Sequence, residues 1–156
     1  MKVVDFLSPD AIIPALSGTS KSEVLAEMAR LIAGQPSGSP AIDAQGLQRS
    51  LEEREKLGST ALADGVAFPH GKIENLDRLV GALGRSPAGL AFDSLDGKPT
   101  HLVFVLVTPA NAPSLHLEAL SRLSRLLRDA GLRQRLYEAA DGATMYRTMV
   151  EEDAKL

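Results

Sequence analysis

Leu102-Val103-Phe104-Val105-Leu106-Val107 is an apolar run with no polar residue interrupting it. A strand with one face in water alternates apolar and polar side chains; an uninterrupted run fits a strand buried on both faces. Such a strand needs helices on both sides of its sheet. The chain therefore reads as an α/β protein, a three-layer α/β/α sandwich around a central sheet.

The flanks of this strand agree with that reading. Upstream, Asp96-Gly97-Lys98-Pro99 is a turn by composition. Downstream, Pro109 ends the strand, and Ser114 is placed to cap a long amphipathic helix. Leu117, Leu120, Leu123 and Leu127 face inward in this reading. Glu118 with Arg122 and Arg125 with Asp129 are spaced for i,i+4 pairs on its outer side. Two further helices are expected around Leu132–Ala139 and Ala143–Glu151. Toward the N-terminus, Ile12 and Ile13 form a short strand closed by Pro14. Ser20 and Glu23 make a capping box for a helix that stops at Gly34. Gln35 to Pro40 is a polar loop. Asp43 caps a second helix that ends at Gly58, with Arg54 near its C-terminal end. Ser59 to Asp64 has no clear period, Val66 to Phe68 is a short strand, and Leu79 to Leu83 is another, ended by Gly84-Arg85-Ser86-Pro87.

The 156 residues are one domain's worth and enough to bury a substantial core. With 17 basic and 20 acidic residues the net charge is −3, which argues against a general nucleic-acid or membrane-surface binder and leaves room only for a local basic patch. Cysteine is absent, which excludes disulfides, thiolate nucleophiles and cysteine-ligated metals. Met1 to Phe6 lacks the apolar core of a signal peptide, and the run from Leu102 to Val107 is too short to cross a bilayer. A cytoplasmic protein is expected.

The chemistry concentrates in Val66-Ala67-Phe68-Pro69-His70-Gly71-Lys72. Proline fixes its own φ and lacks an N–H, while glycine tolerates backbone angles that other residues avoid. His70 between them sits on a constrained turn at a strand's end, its imidazole directed outward and able to accept a group or a proton. His116 falls in the first turn of the helix near Ser114, where free N–H groups and the positive helix end suit an anion and keep the imidazole neutral. Arg54 offers a planar donor fork for phosphate oxygens, and Ser59 and Thr60 offer hydroxyls. Together they read as a phosphoryl acceptor, His70, with His116, Arg54 and nearby amides stabilising the added charge. Taken singly, each residue has a plainer reading: His70 as a solvated turn residue, His116 as an ordinary helix start, Arg54 paired with Glu53 or Glu55, Ser59 and Thr60 as caps. His101 reads as a strand-edge residue. No histidine pair has the H-E-x-x-H spacing, so no metal is expected, and without a P-loop no nucleotide is implied.

At these residues the sequence resembles the IIA domain of the fructose–mannitol class of the bacterial phosphotransferase system. The signature runs through Arg54-Glu55-Lys56-Leu57-Gly58-Ser59-Thr60 to Gly65-Val66-Ala67-Phe68-Pro69-His70-Gly71-Lys72. A second motif is Pro109-Ala110 followed by His116-Leu117. Phe68, where the family usually has an aliphatic residue, is a small departure. The resemblance implies a mixed sheet between helical layers and phosphorylation of His70 on Nε2 by a phosphohistidine carrier of the HPr or NPr type, with His116 and Arg54 in support and Gly71 beside the phosphate site. It implies no cofactor. Leu57-Gly58-Ser59-Thr60 with Pro69-His70-Gly71-Lys72 is most similar to the nitrogen-related regulatory branch. Members of that branch act as phosphorylation-dependent partners of potassium transport or sensor-kinase systems. The alternatives are a sugar-transport component that passes the group to a IIB domain and an interaction module without turnover.

Overall fold

The computed structural model describes residues 1–35 and 40–156; within the expected loop from Gln35 to Pro40, residues 36–39 lie outside the described residues. The elements are β1 (Leu7–Ile13), α1 (Lys21–Ala33), α2 (Ala44–Lys56), β2 (Val66–Ala67), β3 (His70–Ile73), β4 (Val80–Leu90), β5 (Thr100–Pro109), α3 (Pro113–Leu127), α4 (Ala130–Glu138) and α5 (Gly142–Asp153). The sheet runs β1-β4-β5-β2, and β3 also pairs with β5. It is mixed: β1 with β4 and β5 with both β2 and β3 are parallel, whereas β4 and β5 are antiparallel.

The Leu102–Val107 run lies in the middle of β5, and all six side chains are fully buried. Helices α1 and α2 pack on each other and against β4 and β3, while α3, α4 and α5 form a second group on β5 and β1. The three-layer α/β/α architecture with a mixed sheet is the observed one.

Several local expectations are corrected. β1 is a seven-residue strand of which Ile12 and Ile13 are only the end. Ser20 does cap α1 by accepting from the Glu23 N–H, but Glu23 reaches the Thr19 N–H and not that of Ser20, which leaves half a capping box. β4 does not stop at Gly84-Arg85-Ser86-Pro87 but continues to Leu90. Its pairing with β5 is irregular between Arg85 and Leu90, so Pro87 sits where no regular ladder bond is asked of it. Arg85 donates to the carbonyls of Pro14, Leu136 and Ala139 at 2.7–2.8 Å, tying β4 to the chain after β1 and to the end of α4. α3 begins with Pro113 at its first position, and Ser114 is not its cap. Leu117 is exposed, and Ala119 and Leu126 join Leu123 and Leu127 in the core. The expected surface pairs of α3 give way to tertiary ones: Arg122 binds the buried Asp153 of α5 at 2.7 Å, and Asp129 caps α4.

Candidate functional site

The segment that carries the site is an edge strand broken in two. β2 ends at Ala67 and β3 begins at His70; Phe68 and Pro69 lie between them. His70 therefore opens a strand and does not close one. In register it faces Leu106, and Lys72 faces Thr108. On the opposite face of β3, Gly71 meets α2 so closely that a Cβ there would lie 2.6 Å from the Ser50 hydroxyl oxygen and 3.1 Å from the Ser50 Cβ, so a larger residue would have to displace the Ser50 side chain.

The helix thus held against β3 delivers Arg54. Its Nε–H donates to Nε2 of His70 at 3.1 Å, and its Nη1 donates to the Gly58 carbonyl at 2.8 Å. Gly58 has φ of +146°, a conformation that favours glycine. Arg54 does not pair with Glu53 or Glu55. Glu55 is buried and bound instead to Lys21 at 2.9 Å, the Thr60 N–H at 3.1 Å and the Thr60 hydroxyl at 2.5 Å. The Ser59 hydroxyl donates to the Phe92 carbonyl at 2.6 Å and accepts from the Ala61 N–H. Ser59 and Thr60, expected to offer hydroxyls to phosphate, spend them on fixing the loop after α2.

From the other side α3 brings His116, whose ring centroid lies 4.1 Å from that of His70. His70, His116, Arg54, Gly71 and Lys72 line a cleft of about 390 Å³. His101 is elsewhere, near the start of β5, with Nδ1 at 3.0 Å from the Ser86 carbonyl and its ring against Tyr137.

The hydrogen bonds define the tautomer of His70. Nδ1 of His70 lies 3.0 Å from the Phe68 carbonyl, which can only accept, so the proton is assigned to Nδ1. Nε2 then carries the lone pair, and this is the atom that faces Arg54. Burial pushes the His70 pKa below the ordinary value, with the charges of Arg54 and Lys72 acting the same way against the Phe68 carbonyl. His116 is pushed further, to about 4, first by burial and then by His70, Lys72 and Arg54. Both imidazoles are neutral at physiological pH. For His116 the leading cause is burial, not the helix end.

Lys72 was not singled out as a site residue from sequence. Its signal was there: in a strand, residues two apart share a face, and Lys72 follows His70 by two. Glu55 carried no such signal, because its burial depends on Lys21 arriving from another helix.

A pH titration read by imidazole proton resonances follows from these shifts. His116 is expected to hold its neutral shift from pH 8 down to about 5 and to move only near 4. A His116 midpoint near 6.5 would remove the burial argument. Each depressed histidine binds fewer protons in the folded state than unfolded below pH 6.5. The stability this linkage reflects is therefore complete above that pH and declines as pH falls toward the folded pKa.

With this geometry in place, the comparisons with known proteins are specific. The family described as "Phosphoenolpyruvate-dependent sugar phosphotransferase system, EIIA 2" matches residues 5–152. The chain belongs to this family. Among its EIIA relatives, a nitrogen regulatory protein of Bradyrhizobium diazoefficiens is 39% identical over 94% of this chain and 93% of its own. The crystal structure of nitrogen regulatory protein IIA-Ntr from Neisseria meningitidis superposes with a TM-score of 0.82 at 32% identity, covering 92% of this chain and 96% of the other. The IIA mannitol enzyme of Escherichia coli, solved in complex with its phosphorylated IIB enzyme, shares the EIIA fold with a TM-score of 0.75 at 16% identity, over 92% and 96% of the two chains. The resemblance drawn from the two sequence motifs is borne out, and its nitrogen-related emphasis agrees with these relatives.

Proposed function

We propose that this protein is a phosphocarrier of the nitrogen-type phosphotransferase system, accepting a phosphoryl group on Nε2 of His70 from an HPr- or NPr-type phosphohistidine protein and regulating partners through its phosphorylation state. One observation carries the site assignment: Nδ1–H of His70 is held by the Phe68 carbonyl while the Nε2 lone pair faces the Arg54 guanidinium. In the step itself, the Nε2 lone pair forms the new N–P bond as the donor's N–P bond breaks. The released electron pair returns to the donor imidazole, which takes up a proton. The His70 ring keeps its Nδ1–H, and the Phe68 carbonyl supports the positive charge it gains. Arg54 swings its donors from Nε2 to the phosphoryl oxygens, where charge spreads in the transition state. His116, neutral and adjacent, offers a further donor.

Adding close to two negative charges to this cleft changes what can dock on it. A potassium transporter or a sensor kinase is the kind of partner the regulatory branch implies. The second reading is relay to a IIB domain, favoured by the fold shared with the mannitol enzyme solved with its phosphorylated IIB partner. Among the described residues no helix is long and apolar enough to cross a membrane. We place the protein, as one EIIA domain over residues 1–156, in the cytoplasm.

The experiment is incubation of the purified protein with phosphoenolpyruvate, enzyme I and an HPr-type carrier from the same organism, read by intact mass. An acid-labile gain of one phosphoryl group is expected; its absence overturns the phosphocarrier reading. Onward transfer to a IIB protein at rates matching the first step would favour the transport reading. His116→Ala is expected to slow acceptance about tenfold while preserving some, the size of one charge-assisted hydrogen bond. Unchanged kinetics would remove its supporting role.

A further inference from the structure

Among the described residues, three buried side-chain atoms have no hydrogen-bond partner: Thr100 Oγ1, Thr108 Oγ1 and Nδ1 of His116. Two of the three belong to residues that line the His70 cleft, Thr108 and His116. Buried polar atoms are nearly always paired, so two such atoms in one cleft point to a contact between them. The register supports this. Lys72 faces Thr108 as His70 faces Leu106, and residues opposite one another in a ladder share a face of the sheet. Thr108 therefore stands on the face of His70, away from α2, where α3 carries His116 into the cleft. The two atoms are also complementary, since a hydroxyl donates and a bare imidazole nitrogen accepts.

We propose that Thr108 is a positioning residue for His116: its hydroxyl donates to Nδ1, directly after a small turn of the ring or through one bridging water, and so holds the imidazole proton on Nε2. The nitrogen that carries the proton is set by the bond the other nitrogen makes. With Nδ1 occupied as an acceptor, Nε2–H is the group His116 offers to the cleft. The opposite tautomer would present a lone pair there and repel phosphoryl oxygens. The placement stands on geometry alone; its consequence for transfer rests on the phosphocarrier reading above.

Thr108→Val keeps the shape and removes the hydroxyl, and Thr108→Ser restores it. The test reads the His116 ring nitrogens by ¹⁵N-resolved NMR of the resting full-length protein at neutral pH. It then follows phosphorylation by phosphoramidate, a small donor that bypasses the carrier protein. Wild type and Thr108→Ser are expected to show the Nε2–H tautomer alone, and Thr108→Val both tautomers. Phosphorylation should be roughly three- to tenfold slower in Thr108→Val, the weight of one neutral hydrogen bond, and recover in Thr108→Ser. A proton on Nδ1 of His116 in wild type, or an unchanged tautomer in Thr108→Val, overturns the proposal. A tautomer shift in Thr108→Val, with wild type phosphorylated neither by phosphoramidate nor by the HPr-type carrier, would uphold the positioning role and overturn the phosphocarrier reading instead.

Discussion

His70→Ala should take up no phosphoryl group from phosphoenolpyruvate, enzyme I and an HPr-type carrier, under conditions where wild type gains one. The variant removes the imidazole nitrogen whose lone pair accepts from the Arg54 Nε–H. His116 is not expected to replace it: burial, the leading cause of its lowered pKa, remains in the variant and keeps it a weak nucleophile, and its Nδ1 is buried. The fold should survive. His70 is only half-buried, and the backbone pairing of β3 with β5 does not depend on its side chain. The expected melting temperature lies within about 4 °C of wild type, the scale of a change below 1–2 kcal/mol. Full labelling of His70→Ala would sink the acceptor assignment, and an unfolded variant would be recognised by its lost melting transition.

Arg54→Ala should lower kcat/KM for phosphorylation by about a hundredfold, and two opposed effects decide this size. Removing the guanidinium frees Nε2 from its hydrogen bond and relieves a positive charge that depresses the His70 pKa. The gain is modest, because burial is the larger cause of that depression and remains. Against it stands the loss of a forked donor to the three oxygens that share charge in the transition state. Removing a single donor of that kind typically costs 10²–10³, about 2.7–4 kcal/mol. The loss wins. Arg54→Lys should restore only part of the rate, since a point charge cannot span two oxygens as the planar fork does. A rate for Arg54→Ala within about threefold of wild type, by quenched-flow or mass readout, would show that Arg54 does not act on the phosphoryl group.

How much of this could be read in advance depends on whether a residue's role is local. The Leu102–Val107 run declared itself because burial on both faces is written in composition. The caps at Ser20 and Asp43 are equally local, since each side chain accepts an N–H within the same turn. Arg54, His70 and His116 were legible as a group from residue type and position. β3 was hidden because Pro69 signals a break in the chain, which is true, while the strand's resumption depends on pairing with β5 some 36 residues away, from His70 to Leu106. β4 ran through Pro87 because the ladder is already irregular there. Ser59 and Thr60 look like phosphate ligands by type. Their assignment to Phe92 and Glu55 is tertiary, and Glu55 is in turn held by Lys21 from α1. Leu117 followed the leucine spacing of α3 faithfully, yet the helix presents its core face through Ala119, Leu123, Leu126 and Leu127.

The anchor of the His70 ring on the Phe68 carbonyl bears on how the site can be probed. This acceptor is main chain, so every amino acid at position 68 supplies it, and a saturation scan of side chains would pass over half of what orients the His70 imidazole. Replacing the Phe68 carbonyl oxygen with sulfur, a thioamide whose sulfur is a poorer acceptor and which keeps the Pro69 ring, would expose it. By the same token, a change at position 68, whose side chain is buried in the core, alters the packing beneath the site without removing the carbonyl that holds the imidazole.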